Sequence, residues 1–207
     1  MLTKQQLNIF SVFKQDIFKE LTFKQIKEQS KQKSNNVTQL ALEEFRKQNL
    51  VITKKVGDVN SYSLNLKNNL VYSYLNLIDE SDAKSKRIPR KVLDTAQDKV
   101  SKYTPFFVIL IFGSYAKGKA TEKSDLDVAI IVESDKTKKE ITPYLETIRR
   151  REIAKMDYHI FTSEEFLEML KSDQENVGKQ IYRENIKYYG SIYYYQLIKR
   201  LKNEQFV

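Results

Sequence analysis

The stretch Phe112-Gly-Ser-Tyr-Ala-Lys-Gly-Lys-Ala-Thr-Glu-Lys-Ser-Asp-Leu-Asp-Val-Ala-Ile-Ile131 decides the fold of this chain. It leaves one apolar run, Phe106-Phe-Val-Ile-Leu-Ile-Phe112, and ends in another, Val128-Ala-Ile-Ile-Val132. Short apolar runs rich in β-branched and aromatic residues, bounded by turn formers, read as buried strands. The segment is therefore expected to run strand, Gly-Ser turn, short helix or loop, then a strand carrying Asp125 and Asp127. Residues i and i+2 of a strand point to one face, so the two carboxylates project together, about 7 Å apart at Cα, with Leu126 turned away. Such a pair can share a hard cation. At Gly113-Ser114 the backbone can approach a ligand closely, and N–H groups at a turn and helix start form an anion nest. A phosphate nest beside metal-holding carboxylates is what phosphoryl transfer requires. Alone, an Asp-x-Asp or a Gly-Ser turn is an ordinary strand-end feature; their order between two buried strands is what points to a site.

The run Gly113-Ser114-x-Ala116-x-Gly118-x-Ala120-x-x-x-Ser124-Asp125-x-Asp127 resembles the signature of the DNA polymerase β-like nucleotidyltransferase superfamily, in the form of its small, minimal members from bacteria and archaea. The resemblance implies that Gly113 and Ser114 contact a nucleoside triphosphate, with Lys117 and Ser124 beside it and Lys117 or Lys119 offsetting its charge. It implies that Asp125 and Asp127 bind divalent metal, two Mg²⁺ ions or Mn²⁺ in their place, with ATP the expected substrate. A third carboxylate comes from a neighbouring strand in that family. The local candidate is Asp157, in Ala154-Lys-Met-Asp-Tyr-His-Ile-Phe-Thr162, where alternation sets Asp157, His159 and Phe161 on one face and Met156, Tyr158 and Ile160 on the other. Asp157 is thereby expected to complete the metal site and to serve as base toward an acceptor hydroxyl. His159 is the sole histidine and is assigned no catalytic role.

The chain's 207 residues suit one large domain or two small ones, and its 41% hydrophobic and 12% aromatic content can build a core. No apolar run approaches the eighteen residues or more of a membrane span, and the first residues lack a signal-peptide core, so a cytoplasmic protein without membrane attachment is expected. With no cysteine, disulfides and thiolate metal sites are excluded. The net charge of +9 is uneven, because residues 1–68 carry 12 basic and 6 acidic side chains. That excess suggests a polyanionic partner, though a solvated lysine-rich surface would look the same.

Residues 3–19 read as a helix with a break near Asp16. Thr22-Phe-Lys-Gln25 is a capping box opening a short helix to about Ser30. A third helix starts at Ser34 or Asn35 and runs to about Asn49, with Val37, Leu40, Ala41 and Phe45 expected inward. Two alternating strands, Leu50–Val56 and Val59–Leu66, flank Gly57-Asp58 as a β-hairpin. Three helices and a hairpin follow the order of a winged helix-turn-helix, which would place the third helix in a major groove and the hairpin on the backbone. Lys33, Asn35, Asn36, Thr38, Gln39, Lys54 and Lys55 are the candidate nucleic-acid contacts. The same pattern also suits a winged helix used for protein contact.

Residues 69–88 are read as a connecting helix and linker, helical over Leu70–Ile78 and polar over Asp79–Arg87, and residues 89–207 as the transferase domain with C-terminal helices. A helix over 89–102 should present Val92, Leu93, Ala96 and Val100 inward, with Pro89 at its first position. Residues 140–153 read as a helix whose start is obscured by Pro143; its Arg149, Arg150 and Arg151 form a basic cluster that could face phosphate, a solvated face being the expectation. Ser163 opens a further helix, and the tyrosine-rich tail through Arg200 reads as helical, broken near Gly190.

The expected fold is thus α/β (α+β), a winged helix followed by a small nucleotidyltransferase domain with a short mixed sheet flanked by helices. The expected reaction moves AMP, or another nucleoside monophosphate, to a hydroxyl. In the family the resemblance points to, some minimal members modify a tyrosine of a HEPN-type toxin partner and others modify RNA ends or antibiotics. A homo-oligomer is equally open to the chain. The alternative is a DNA-binding transcriptional regulator whose transferase domain only senses nucleotide or is inactive.

Overall fold

The computed structural model describes residues 1–151 and 156–204. They divide into two units, Met1–Ile78 and Asp79–Val207.

The first unit opens with α1 (Lys4–Phe10), started by a capping box between Thr3 and Gln6. The helix does not reach residue 19. It tightens into a 3₁₀ turn at Ser11–Phe13, and the Asp16 carboxylate then accepts the Phe18 N–H at 2.9 Å, which gives the backbone a non-helical partner. A two-residue strand β1 (Leu21–Thr22) precedes α2 (Phe23–Gln29), whose capping box is Thr22 and Gln25 as the spacing predicts. Helix α3 spans Asn35–Lys47 with Ser34 as its cap. The hairpin strands β2 (Val51–Val56) and β3 (Val59–Leu64) meet at Gly57-Asp58, and Gly57 takes φ +60°. Glycine at the first turn position suits the tight turns whose twist matches the strands. The sheet order is β1-β3-β2, all antiparallel. Phe10, Phe13, Ile26, Phe45 and Leu50 are fully buried, and Phe10 packs edge-on to Phe45 with ring centres 5.1 Å apart. Each such side chain contributes about 1.5–3 kcal/mol by leaving water.

Two expectations for α3 are corrected. Leu40 is 54% exposed, and Leu42 takes the inward place. Thr38 is fully buried, its hydroxyl donating to the Ser34 carbonyl at 3.2 Å, so it cannot contact nucleic acid. The inward stripe is therefore Thr38, Ala41, Leu42 and Phe45. A small threonine that returns its hydroxyl to the preceding turn satisfies its own polar atom.

The helix expected over Leu70–Ile78 is present as α4 (Asn69–Ser85), which continues through most of the charged stretch read as linker. In the second unit, α5 (Arg90–Val100) has Pro89 as its cap and buries Val92, Leu93, Ala96 and Val100. Strand β4 (Phe107–Ile111) is buried throughout, and α6 (Gly113–Ala116) is a single turn. Strand β5 is Leu126–Val132. Helix α7 (Asp135–Arg151) starts earlier than expected, because Ser134 caps it by accepting the Thr137 N–H at 3.3 Å; Pro143 lies inside the helix. The expected continuation through Glu152 and Ile153, and the expected strand start at Ala154 and Lys155, lie outside the described residues. Strand β6 is Met156–Thr162, followed by α8 (Ser163–Lys171) and α9 (Val177–Arg183). Strand β7 (Ile186–Tyr189), within the stretch expected to be helical, precedes α10 (Ser191–Glu204).

The sheet order is β6-β5-β4-β7, with β5 and β6 parallel and the other neighbours antiparallel, so it is the short mixed sheet expected. Its one face packs Ile109, Ile111, Val128 and Ile130 against α5 and α7, through Leu93, Ala96, Ile141 and Leu145. Gly190 turns the chain out of β7 at φ +74°, where a Cβ would fall 2.1 Å from the Phe107 carbonyl oxygen. A buried ion pair stands beside this edge: Lys187 lies 3.6 Å from Asp79, its ammonium over the rings of Tyr194 and Tyr195, and Tyr195 donates to Asp79 at 2.7 Å. No helix among the described residues is long and apolar enough to cross a membrane.

Candidate active site

Strand β4 delivers Gly113 and β5 delivers Asp127, and the two meet closely. Phe112 N–H donates to the Asp127 carbonyl at 3.0 Å, extending the β4–β5 ladder by one bond past β4. Gly113 then takes φ +64°. A Cβ there would lie 2.0 Å from Asp127 Oδ2 and 2.9 Å from its Cγ. Glycine is thus required twice, once for a left-handed backbone and once because the carboxylate occupies the space of a side chain. The backbone N–H of Ser114 favours the charged form of the Asp127 carboxylate.

Asp127 and Asp157 are partners in the parallel β5–β6 register, so both carboxylates leave one face of adjacent strands. Asp125 lies just before β5 on the same side and is exposed. Burial pushes the Asp127 carboxyl above the usual carboxylate range, and the negative charges of Asp157 and Asp125 push it further; the Ser114 N–H and His159 oppose them. The Asp157 side chain is 55% exposed, with His159 Nε2 4.0 Å from its Oδ2. His159 stacks on Phe161 at 6.0 Å and approaches Phe112 at 5.9 Å, so the site face of β6 continues as an aromatic surface.

Among the described residues, no group of three or more His, Asp or Glu side chains is drawn together as a ready metal cage. The donor chemistry nevertheless fits a hard divalent cation: all three candidates offer carboxylate oxygens, two from paired strand positions. The repulsion felt by Asp127 is what such a cation would relieve.

The other expected nucleotide contacts are placed less directly. Lys117 and Lys119 are exposed after α6, and Gly118 between them takes φ +66°. The Ser124 hydroxyl accepts the Thr121 N–H at 2.9 Å, closing the 121–124 turn, so its first task is to hold the loop that presents Asp125. A cleft of about 340 Å³ is lined by Asp125, Met156, Asp157 and Arg149. Arg149, for which a solvated face was expected and a phosphate-facing one left open, is exposed and lines this cleft. Helix periodicity alone could not reveal that, because it cannot say where the end of α7 lies relative to the edge of β6. Arg151 falls where the side chains are not described.

In the first unit, Lys33, Asn36 and Lys55 are exposed. Asn35 accepts from Lys27 at 2.6 Å, Gln39 donates to Glu43 at 3.1 Å, and Lys54 pairs with Glu20 at 3.5 Å. These three are also exposed, and their contacts are surface ones.

With this geometry in hand, the comparison with protein families is specific. Residues 95–189 match the family model described as Polymerase beta, Nucleotidyltransferase. The matched segment runs from within α5 to the end of β7 and contains Gly113, Ser114, Asp125, Asp127 and Asp157. It supports placing this segment in the DNA polymerase β-like nucleotidyltransferase superfamily, a family of transferases. No curated protein and no solved structure matches the chain.

Proposed function

We propose that the second unit transfers a nucleoside monophosphate, AMP from ATP, to a hydroxyl of a protein or an RNA. The observation that carries this is the fit of Gly113 over Asp127 with Asp157 in register beside it. The space a Cβ would need at Gly113 is filled by the Asp127 carboxylate, which ties the turn after β4 to a strand acid. Asp125, Asp127 and Asp157 would hold Mg²⁺, which supplies charge neutralisation at the reacting phosphate. Gly113 and Ser114 would hold the triphosphate, with Lys117 or Lys119 offsetting its charge.

In the reaction, the acceptor oxygen forms a bond to the α-phosphorus, and the bond from that phosphorus to the bridging oxygen breaks. Pyrophosphate leaves with the electron pair, and Asp157 receives the acceptor proton. Positioning supplies most of the rate, since the protein contributes little covalent chemistry.

The first unit would serve as a nucleic-acid-binding winged helix. Its order of helix, short strand, two helices and hairpin supports that reading, as does its basic excess. Lys33, Asn35, Asn36, Gln39, Lys54 and Lys55 are the exposed candidates for contact. A HEPN-type partner carrying the acceptor tyrosine is the protein form of the proposal.

The test is incubation of the pure protein with Mg²⁺ and each α-labelled nucleoside triphosphate. The acceptors are the protein itself, total RNA and a cell extract, with an Asp125→Ala/Asp127→Ala variant alongside. Label that appears only with the intact pair supports the transferase. No label with any acceptor, together with salt-sensitive DNA binding, would favour a DNA-binding regulator with an inactive transferase fold.

A further inference from the structure

Helix α3 and the tip of the β2–β3 hairpin border a cleft of about 440 Å³ that lies wholly within the first unit. Its apolar lining is Leu42 and Tyr62, both buried, with the half-buried Phe23 and the exposed Val59. Gln39, Leu42, Glu43 and Arg46 follow at i, i+3, i+4 and i+7, so one face of α3 makes a wall of it. A concave site of this size, apolar with a few polar groups, is the usual form of a small-molecule pocket. None of its residues lies in the segment 95–189.

Several of its polar groups are left without partners. Tyr62 is only 8% exposed, yet among the described residues its hydroxyl makes no hydrogen bond. A buried tyrosine normally gives its hydroxyl a partner, and the cleft is where one can enter. Glu43 and Arg46 stand three residues apart, where opposite charges on a helix commonly pair. Here the Glu43 carboxylate accepts from Gln39 at 3.1 Å instead. Among the described residues, the side chains of Arg46 and of Asp58 at the hairpin turn make no hydrogen bond or ion pair.

The charges decide the class of ligand. Residues 1–68 carry 12 basic and 6 acidic side chains, and one basic and two acidic ones line the cleft. A polyanion would meet two carboxylates for one guanidinium, whereas a zwitterion satisfies all three. The arginine fork takes the two oxygens of a carboxylate, and the acids take an ammonium. The Cβ atoms of Glu43 and Arg46 are about 5–6 Å apart on their helix face. In a free amino acid the nitrogen and the carboxyl carbon are about 2.5 Å apart, while a dipeptide spans up to about 7 Å. The side-chain amides of Gln39 and Asn60, on the same lining, match the peptide bond between those ends.

We propose that this cleft binds a dipeptide with apolar side chains, its carboxylate on Arg46, its ammonium on Glu43 and Asp58, and a side chain against Phe23, Leu42 and Tyr62. A ligand there bridges α3 and the hairpin, the two elements expected to meet nucleic acid.

The test titrates L-leucyl-L-phenylalanine into the ¹⁵N-labelled full chain and follows the amide signals by NMR. Saturable shifts should centre on residues 39–46 and 58–62. Two analogues each lack one charge, the C-terminal amide and the N-acetyl form. Each should bind wild type about three- to tenfold more weakly, as for a charge-assisted contact at an exposed rim. Arg46→Ala should lose the discrimination against the amide and keep that against the N-acetyl form, and Glu43→Gln/Asp58→Asn should do the reverse. Tyr62→Phe, which keeps the ring, should weaken all three peptides alike. Melting curves confirm that each variant folds, and the analogue series on wild type stands without them. L-Phenylalanine should bind at least about tenfold more weakly than the dipeptide; equal binding would overturn the dipeptide assignment. Shifts confined to other residues, no saturation up to about 10 mM, or analogues bound as tightly as the parent would overturn the site. So would discrimination that survives unchanged in the charge variants.

Discussion

Replacing Gly113 with alanine separates the structural role of this glycine from its role in the site. The new Cβ would stand 2.0 Å from Asp127 Oδ2, where Cβ contacts under 3.0 Å essentially do not occur. The carboxylate must therefore retreat by about 1 Å or more, losing its alignment with Asp157. Because an aspartate can rotate, the fold survives this. The backbone cost of an alanine at positive φ is roughly 1–2 kcal/mol. For a chain of this size that lowers Tm by about 2–8 °C. The loss of activity should be far larger, about 100-fold, because a 1 Å misplacement of a positioned group costs that much. Gly118→Ala is the control, since Gly118 has φ +66° but nothing within 4 Å of its Cβ position. It should show the same fall in Tm and an activity far closer to wild type. The assay is label transfer from α-labelled ATP beside calorimetric melting of both variants. Equal activity loss in the two would refute the claim that Asp127 is held in place by the absent side chain of Gly113.

Gly190→Ala meets backbone rather than a mobile side chain, the Phe107 carbonyl at 2.1 Å, so it should destabilise the second unit more than Gly118→Ala, as read by urea unfolding. Asp79→Ala removes the carboxylate that faces Lys187 and accepts from Tyr195, both buried, and should cost about 3–5 kcal/mol in the same experiment; a cost near zero would contradict the packing. Asp127→Asn relieves the repulsion from Asp157 and Asp125, so in metal-free buffer its Tm should not fall, while transfer drops at least about 100-fold. Lys33→Ala/Lys55→Ala should reduce the salt dependence of nucleic-acid binding by a slope of about 1–2, whereas Thr38→Ala should alter stability and leave that slope unchanged.

Much of the second unit was legible because its signals are local. The apolar runs of β4 and β5 are continuous, the Asp-x-Asp spacing fixes a face, and the alternation of β6 set Asp157, His159 and Phe161 apart from Met156, Tyr158 and Ile160. What was missed depends on tertiary surroundings. Strand β7 lies in a tyrosine-rich tail, and its Lys187 is buried only because Asp79 and two tyrosine rings receive it, a partnership more than a hundred residues apart in sequence. The signal available was Ile186-Lys-Tyr-Tyr189 ahead of Gly190, a short β-forming run before a turn former. For α7, Pro143 drew the boundary inward, although Ser134 offered a cap. Thr38 looked like a polar contact of α3 because helical spacing left both Thr38 and Leu40 near the edge of the apolar stripe; packing against the rest of the unit chose the threonine. For Arg149 the sequence left two faces open, solvent or phosphate, and only the strand that follows its helix brings it to the cleft of Asp125 and Asp157.

The most direct test of nucleotidyl transfer compares ATP labelled at the α-phosphate with ATP labelled at the γ-phosphate, in Mg²⁺, with the acceptor fraction that takes up label. Label from the α position entering the acceptor, with the γ label recovered in pyrophosphate, and both lost in Asp125→Ala/Asp127→Ala, is the predicted result. Entry of the γ label, or α transfer that persists without the two carboxylates, would contradict the account.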